Sequence, residues 1–238
     1  MLKAVIYDFD GTLTPSVLPE FKIVEAGGLE GGVANPKFFE EAHELAKTHN
    51  IDLLDSVARL ILKFAKKSGL SLTDKNLALG ADKRQYNPGV ENFLKRLCEK
   101  GTKNYLLSSG IKAYLSCLEI APLFTEIFAT TLNYDENGEA TTPKQVMTVE
   151  QKAETLRELA QELNGNSSDC TGMVYIGDGP TDIFALEFVK NNGGESILVY
   201  HDENSDEVKA VREKDAANAY FPADFRQGSE LDRYINKI

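Results

Sequence analysis

The chain has 238 residues, of which 42% are hydrophobic, and 37 acidic against 26 basic residues give it a net charge of −11. This length and composition predict a folded globular protein with one core domain plus an insertion. The acidic balance, with no basic run longer than a pair such as Lys66-Lys67, argues against nucleic acid and anionic membranes as partners.

The first apolar stretch meets Asp8 after a few residues, and no segment approaches about 18 uncharged apolar residues. We therefore expect neither a signal peptide nor a membrane span. Three widely spaced cysteines fit a reducing compartment better than a disulfide framework. Together these features predict a cytoplasmic protein.

The most informative segment is a pair of carboxylates that follows the first apolar run. Residues 4–7 predict a buried parallel strand, and Asp8 and Asp10 come directly after it. Side chains two positions apart on an extended segment project the same way, so these carboxylates share a face. Adjacent like charges disfavour joint ionisation, which predicts Mg²⁺, acid–base chemistry or both. Gly11 and Thr12 then supply a flexible backbone and a hydroxyl, as in a phosphate-binding loop.

An insertion with a different pattern follows this strand. Residues 15–85 contain helical periodicity at about 37–48 and 51–68 and no convincing strand, which predicts an inserted α-helical cap domain. The core domain is then expected to comprise residues 1–14 and 86–238.

Strands and helices alternate in the rest of the chain. The predicted strands cover 104–107, 127–131, 173–176 and 197–200, and the predicted helices cover 111–120, 150–163 and 181–190. Asn87-Pro88-Gly89 predicts the start of the first core helix, with Asn87 as its N-cap, and Asn137-Gly138 predicts a hairpin turn. The expected fold class is α/β: a Rossmann-like doubly wound parallel sheet with the helical cap inserted.

Further polar residues stand where these predicted elements begin or end. Ser108 and Ser109 follow the second core strand, at the sheet edge where α/β proteins place functional groups. Asp178 follows a later strand, and Asp182 comes four residues on. Serine at such a turn and aspartate near a helix start are also common as simple helix caps.

A lysine in the first turn of the predicted helix 150–163 is the remaining candidate. Lys152 opposes the helix dipole there, so its position is mildly unfavourable for the helix alone. Its removal is therefore expected to leave the fold intact. Lys144, which follows Pro143, is the rival candidate for the same role.

In order and context, these segments resemble the four motifs of the haloacid dehalogenase-like (HAD) hydrolase superfamily, most of whose members are Mg²⁺-dependent phosphatases. The motifs are Asp8-Phe9-Asp10-Gly11-Thr12, then Ser108 or Ser109, then Lys152, then Gly177-Asp178 with Asp182. The helical insertion after the first motif is similar to the phosphoserine phosphatase-type arrangement. Ser109-Gly110-Ile111 departs from the Ser-Gly-Gly usual in that enzyme, so the resemblance predicts a small phosphorylated metabolite as substrate without predicting phosphoserine.

The resemblance implies a catalytic role for each acidic residue. Asp8 attacks phosphorus to form an aspartyl-phosphate, and Asp10 protonates the leaving oxygen and then activates water. A Mg²⁺ cofactor is expected on Asp8, Asp178 and the backbone carbonyl of Asp10. Asp182 would orient these ligands from behind.

The phosphate-binding set is implied by the same resemblance. Lys152 and the hydroxyl of Ser108 or Ser109 would offset charge on the transferring phosphoryl group, together with the amides of Gly11 and Thr12.

Three alternatives remain open from the sequence. A phosphomutase uses the same core and differs only in cap contacts that retain the intermediate. A dehalogenase needs neither Mg²⁺ nor an acid two residues after the nucleophile, so Asp10 and Asp178 argue against it. A non-enzymatic phospho-aspartate receiver also clusters acids with a lysine, but it is shorter and has no cap.

Overall fold

The computed structural model describes residues 1–15 and 22–238, which form a seven-stranded sheet flanked by helices. The strands are β1 (Ala4–Tyr7), β2 (Lys103–Ile111), β3 (Glu126–Tyr134), β4 (Ala140–Gln145), β5 (Met173–Gly177), β6 (Glu195–Tyr200) and β7 (Ala219–Pro222). Their spatial order is β4-β3-β2-β1-β5-β6-β7, and each neighbouring pair is parallel except the antiparallel β3–β4 hairpin. The predicted α/β class and the predicted hairpin are both confirmed.

The helices alternate with the strands along the core. They are α1 (Lys22–Ala26), α2 (Pro36–His49), α3 (Leu53–Lys67), α4 (Asp74–Leu77), α5 (Val90–Glu99), α6 (Lys112–Leu115), α7 (Val149–Asn164), α8 (Ile183–Asn191), α9 (Asp206–Glu213) and α10 (Glu230–Ile235). Within the two described stretches, no helix combines the length and the apolarity that a membrane crossing requires.

The central strand explains why the site lies where it does. All four residues of β1 are buried, and they alternate between two hydrophobic clusters on the two faces of the sheet. The chain pairs β1 with β2 on one side and with β5 on the other. The strand order therefore reverses at β1, and in open α/β sheets ligands bind in the crevice at the carboxyl ends of such strands.

Between β1 and α5, the described residues form helices and turns and contain no strand. Helices α2 and α3 match the patterns expected at 37–48 and 51–68, and they pack on each other. The predicted cap range of 15–85 includes residues 16–21, which lie outside the described part. The division into a core and a cap therefore stays a prediction that these helices support.

The predicted N-cap at Asn87 was wrong. Helix α5 begins at Val90, and its N-cap is Gly89 with φ 83°, where an added Cβ would lie 2.4 Å from the backbone nitrogen of Arg226. The Asn87 side chain instead donates to the carbonyl oxygens of Thr12 (2.8 Å) and Thr14 (3.1 Å). It thereby ties the entry to the core helix to the loop that follows β1.

The long helix predicted over 111–120 was also wrong. Strand β2 continues through Ile111 with a register irregularity after Ser108, and only the four residues of α6 are α-helical. The apolar residues of this stretch are buried in successive turns. A short apolar run does not distinguish such turns from a helix by its periodicity alone.

Candidate active site

Most of the residues predicted from the motifs line one cavity at the carboxyl edge of the sheet, while Gly11, Thr12 and Asp182 are not among its lining residues. The cavity has a volume of about 370 Å³, and its core wall consists of Asp8, Asp10, Ser108, Ser109, Gly110, Lys152, Asp178, Gly179, Pro180 and Thr181. These residues come from the ends of β1, β2 and β5 and from the start of α7. The carboxyl ends of neighbouring parallel strands and the start of α7 thus bring carboxylates, hydroxyls and one ammonium group together.

Lys152 bridges two carboxylates inside this cluster. Its Nζ donates to Oδ1 of Asp8 at 2.7 Å and to Oδ1 of Asp182 at 2.8 Å, and the residue is only 2% exposed. Burial lowers the pKa of Lys152, but the charges of Asp182 and Asp8 outweigh burial and raise it above the ordinary value. The ammonium group is therefore held charged against the predicted nucleophile.

The start of α7 holds this lysine in place. Thr148 is the N-cap, and its side chain accepts a hydrogen bond from the backbone of Gln151 at 3.2 Å. The expectation that removing Lys152 would leave the fold intact treated the residue as a cation at a helix end, whereas the structure places it in a buried ion-paired group. Removing one member of a buried, ion-paired group leaves uncompensated charge behind.

Asp182 acts as the hub of the network and is fully buried. Besides Lys152, it accepts hydrogen bonds from the hydroxyl of Tyr175 (2.7 Å) and from the backbone amides of Asp178 (3.1 Å) and Gly179 (3.4 Å). Gly177 makes room for it, since an added Cβ would lie 2.6 Å from the Asp182 carboxyl. With its oxygens occupied by protein donors, Asp182 orients the lysine and the loop that carries Asp178.

Tyr175 was missed from the sequence. A tyrosine within a fully buried strand needs a partner for its hydroxyl, and that requirement was the available signal.

Burial raises the pKa values of Asp8 and Asp178. Burial, and then the Asp182 and Asp8 charges, raise the pKa of Asp178 to about 9, although the Thr12 hydroxyl donates to it at 3.1 Å. Burial raises the pKa of Asp8 to about 6 in spite of the opposing effect of Lys152. With its carboxyl groups ionised, the cluster therefore carries more negative charges than the single ammonium group of Lys152 neutralises.

This donor set fits a divalent cation. One oxygen atom from each of Asp8, Asp178 and Asp182 lies within 4.8 Å of the others. Carboxylate oxygens are the ligands that Mg²⁺ prefers, and a bound cation would stabilise the ionised forms that burial disfavours. The side chain of Asp10 is not part of this oxygen cluster.

Asp10 has its own partner, which sequence reasoning missed. Arg84 donates to Oδ1 of Asp10 at 2.8 Å and to the Thr14 hydroxyl at 3.1 Å, and its side chain is only 3% exposed. Burial raises the pKa of Asp10 to about 7, and the Arg84 charge opposes that rise. Arg84 follows the last turn of the predicted cap, so no local pattern connected it to a carboxylate 74 residues earlier.

Of the predicted phosphate-binding residues, Ser108, Ser109 and Lys152 line the cavity, and Gly11 and Thr12 do not. Ser108 is buried, and its hydroxyl accepts from the amide of Gly110 at 3.0 Å, while Ser109 lines the same cavity. The Gly11 amide donates to the Thr14 hydroxyl at 3.3 Å, and the carbonyl of Gly11 contacts Nε2 of His201 at 3.1 Å. The backbone amide and the backbone carbonyl of Gly11 therefore both have partners, which fix the loop after β1.

The rival lysine lies elsewhere. Lys144 is exposed on β4 and is not among the described residues that line the cavity. Of the two lysines considered from the sequence, the structure brings only Lys152 to the carboxylates.

The raised carboxyl pKa values predict how the metal-free protein responds to pH. Asp8, Asp10 and Asp178 hold protons in the folded state above the pH at which an unfolded chain releases them, so the free energy of unfolding falls as the pH rises. Between pH 7 and 9 the effect comes mainly from Asp178, at up to ~1.4 kcal/mol per pH unit. Denaturant titrations in EDTA should show this loss for the wild type and a smaller loss for Asp178→Asn.

The control for this comparison is Asp135→Asn, at an exposed residue of the hairpin whose pKa is lowered by its backbone hydrogen bonds. It should keep the wild-type slope. Equal slopes for wild type and Asp178→Asn would contradict the electrostatic account of the site.

The solved structures most informative for this fold are hydrolases. A phosphoserine phosphatase captured as a phospho-aspartyl intermediate analogue superposes with a TM-score of 0.64 at 17% identity, covering 100% of this chain and 99% of that one. A HAD family hydrolase from Salmonella enterica subsp. enterica serovar Typhi gives 0.62 at 22% identity, and the match covers 90% of this chain but only 66% of the longer Salmonella chain. Cytosolic 5'-nucleotidase IIIB bound to cytidine gives 0.62 at 16% identity, with coverages of 99% and 85%.

At these identities the likeness establishes the fold. No curated protein matches the chain by sequence. The haloacid dehalogenase-like hydrolase family, however, matches residues 2–189, which contain all four motifs and every cavity-lining residue of the core wall named above. The chain therefore belongs to the haloacid dehalogenase-like hydrolases.

Proposed function

We propose that this hydrolase is a Mg²⁺-dependent phosphatase that cleaves a small phosphomonoester through an aspartyl-phosphate on Asp8. The observation that carries the proposal is the convergence of Asp8, Asp10, Lys152 and Asp178 on one cavity, with Asp10 bound by Arg84 and Asp8 by Lys152. The phosphoserine phosphatase and nucleotidase folds support the same reaction class.

The first step would transfer the phosphoryl group to Asp8. A carboxylate oxygen of Asp8 forms a bond to phosphorus while the bond from phosphorus to the alcohol oxygen breaks, and the proton of Asp10 passes to that oxygen. A carboxyl with a pKa of about 7 is partly protonated at neutral pH, as a general acid requires. Lys152 and the serine hydroxyls would offset charge on the transferring group.

The second step would return the enzyme to its starting state. Asp10, now ionised, accepts a proton from water as the water oxygen bonds to phosphorus, and the bond from phosphorus to Asp8 breaks. Inorganic phosphate leaves. The same carboxyl serves both steps because its proton is lost in the first and regained in the second.

Mg²⁺ would be held by Asp8, Asp178 and the backbone carbonyl of Asp10, while Asp182 positions the loop behind them. The ion would supply positive charge beside the phosphoryl group and the nucleophile. Lys152 donates hydrogen bonds to Asp8 and Asp182. Asp178 has no cation among its described hydrogen-bond partners and accepts from the Thr12 hydroxyl instead.

Metal removal tests this proposal. With p-nitrophenyl phosphate as substrate, EDTA should abolish turnover and added Mg²⁺ should restore it. Asp178→Ala should raise the Mg²⁺ concentration needed for half-maximal activity by at least ~10-fold, the loss typical of a disturbed metal site. Asp135→Asn is the control with an unchanged Mg²⁺ requirement. Full activity in EDTA would contradict the metal site.

Arg84 provides a separate test of the general acid. Because Arg84 holds the Asp10 carboxyl in position, Arg84→Gln should lower kcat/KM for benzyl phosphate, whose alkoxide is a poor leaving group, by at least ~10-fold, a part of the 10²–10⁴ that a general acid contributes. The value for p-nitrophenyl phosphate should fall much less, because nitrophenolate leaves without a proton. Steady-state kinetics with both esters is the measurement, and equal losses would show that Arg84 does not act through Asp10.

The expected setting also remains a proposal. We infer a small phosphorylated metabolite as the substrate from the small cavity, and neither nucleic acid nor membrane as a partner from the net charge of −11. The three widely spaced cysteines favour a reducing compartment such as the cytoplasm.

A further inference from the structure

The cavity has two chemically different walls. The core wall carries the carboxylates, the serines and Lys152, and the opposite wall is supplied by the helices that follow β1. The described residues on that second wall are Val33, Phe39, Leu53, Leu54, Val57, Ala58 and Ile61. Every one of these side chains is hydrophobic, so a phosphate bound at the carboxylates would direct its alcohol group towards an apolar surface.

The apolar wall is one face of α3. Leu54, Val57, Ala58 and Ile61 recur at three-to-four spacing, which places them on the same side of the helix. The cations of α3 belong to a different face. Arg59 pairs with Asp55 at 2.9 Å, and Lys63 pairs with Glu41 of α2. Both cations line a separate surface concavity instead of this cavity.

The described residues that line the cavity offer an anionic substrate group no cation that is not already paired. Among its described lining residues, Lys152 is the sole lysine or arginine, and it is bound to Asp8 and Asp182. Glu207, from the first turn of α9, adds a further carboxyl. Residues 16–21 read Ser-Val-Leu-Pro-Glu-Phe and contain no lysine, arginine or histidine, so they can add no positive charge.

We propose that the substrates are phosphate monoesters of uncharged, mainly apolar alcohols, with an alkyl or aryl group that packs on the apolar face of α3. This inference rests on the proposed phosphatase function. A carboxylate or second phosphate on the alcohol would lose its hydration against leucine and valine side chains, and it would meet Glu207 without a compensating cation. The apolar wall thus selects against phosphorylated amino acids, sugar acids and bisphosphates.

A matched pair of esters tests the charge preference. Benzyl phosphate and 4-carboxybenzyl phosphate share a benzylic leaving group and differ by one remote carboxylate. With the Mg²⁺-loaded wild-type enzyme, kcat/KM should be at least ~10-fold higher for benzyl phosphate, because a buried unpaired charge is strongly disfavoured. Along the series from methyl to butyl phosphate, kcat/KM should rise about fourfold per methylene, the factor that corresponds to ~0.8 kcal/mol of apolar burial.

Two variants test whether the apolar wall sets this preference. Leu54→Arg places a cation on the partly exposed first turn of α3, and it should reduce the preference for benzyl over 4-carboxybenzyl phosphate by at least ~10-fold. Its control is Leu70→Arg, the same substitution at an exposed leucine outside the cavity, which should keep the wild-type preference. Glu207→Gln removes the cavity's extra carboxyl and should also reduce the preference for benzyl phosphate. It keeps the test available if Leu54→Arg does not fold.

The outcomes separate this inference from the proposed function. Turnover of p-nitrophenyl phosphate together with equal or better use of 4-carboxybenzyl phosphate would overturn the apolar substrate class and leave the phosphatase intact. A flat response along the alkyl series, or an unchanged preference in both Leu54→Arg and Glu207→Gln, would also overturn it. Absence of Mg²⁺-dependent turnover with every ester would overturn the phosphatase function itself, and this inference with it.

Discussion

Asp8→Asn is expected to lower kcat by at least ~10³-fold while the protein stays folded. The amide keeps the size of the carboxyl and an oxygen that accepts from Lys152, but it does not attack phosphorus as a carboxylate does. The substitution also removes a charge whose burial is unfavourable, since burial already raises the pKa of Asp8 to about 6. Turnover of p-nitrophenyl phosphate and a thermal melt are the two measurements.

Because Lys152 keeps its ion pair with Asp182 in Asp8→Asn, the thermal midpoint should stay within about 4 °C of the wild type, the shift expected for ~1 kcal/mol in a chain of this size. Acid-quenched wild-type enzyme should carry a phosphoryl group on Asp8 during turnover, and the variant should carry none. Asp135→Asn, at an exposed acid that is not among the described residues lining the cavity, should behave as wild type in both assays. Activity within tenfold of wild type for Asp8→Asn would remove the nucleophile from the proposed mechanism.

The acidic part of this site was predictable from the sequence because simple geometry determines it. Side chains at i and i+2 of an extended segment share a face, which relates Asp8 to Asp10. Residues that follow parallel strands meet at one edge of the sheet, which relates both to Ser108 and Asp178. These rules depend only on element type and order, and the alternation of strands and helices supplied both.

The supporting contacts were not predictable, because they join residues distant in sequence. Arg84 reaches Asp10 across 74 positions, and Asn87 reaches Thr12 across 75. Arg84 stands in no periodic pattern or recognised motif, and the pattern around Asn87 predicted a helix cap instead of this contact. Their partners depend on how the chain returns to the core after α4 and the turn that follows, which local propensity does not encode.

The burial of Lys152 is the most consequential difference between expectation and structure. A lysine in the first turn of a helix is usually solvated, and from that view its loss would be neutral or slightly favourable for the helix. In the folded protein it lies between Asp8 and Asp182, almost completely buried. Because the same ion pairs serve the site and the fold, a substitution of Lys152 should affect both activity and stability.

Lys152→Met is expected to lower both activity and stability. Loss of the ammonium group removes positive charge from beside the transferring phosphoryl group, which should reduce turnover by ~10²-fold or more. It also leaves Asp8 and Asp182 without their buried cation, and breaking such a pair costs about 3–5 kcal/mol. Steady-state kinetics with p-nitrophenyl phosphate and denaturant titrations measure the two effects.

The stability loss of Lys152→Met should shrink as the pH falls from 8 to 5, because the charge of Lys152 favours ionised Asp8 and its absence lets the carboxyl take up a proton. Lys144→Met, the same substitution at an exposed residue of β4, is the matched control and should change neither quantity. A fully stable but inactive Lys152→Met would show that the buried carboxylates do not depend on this cation. If Lys144→Met lost activity and Lys152→Met kept it, the phosphate would lie nearer to β4, and the assignment of the third motif would have to change.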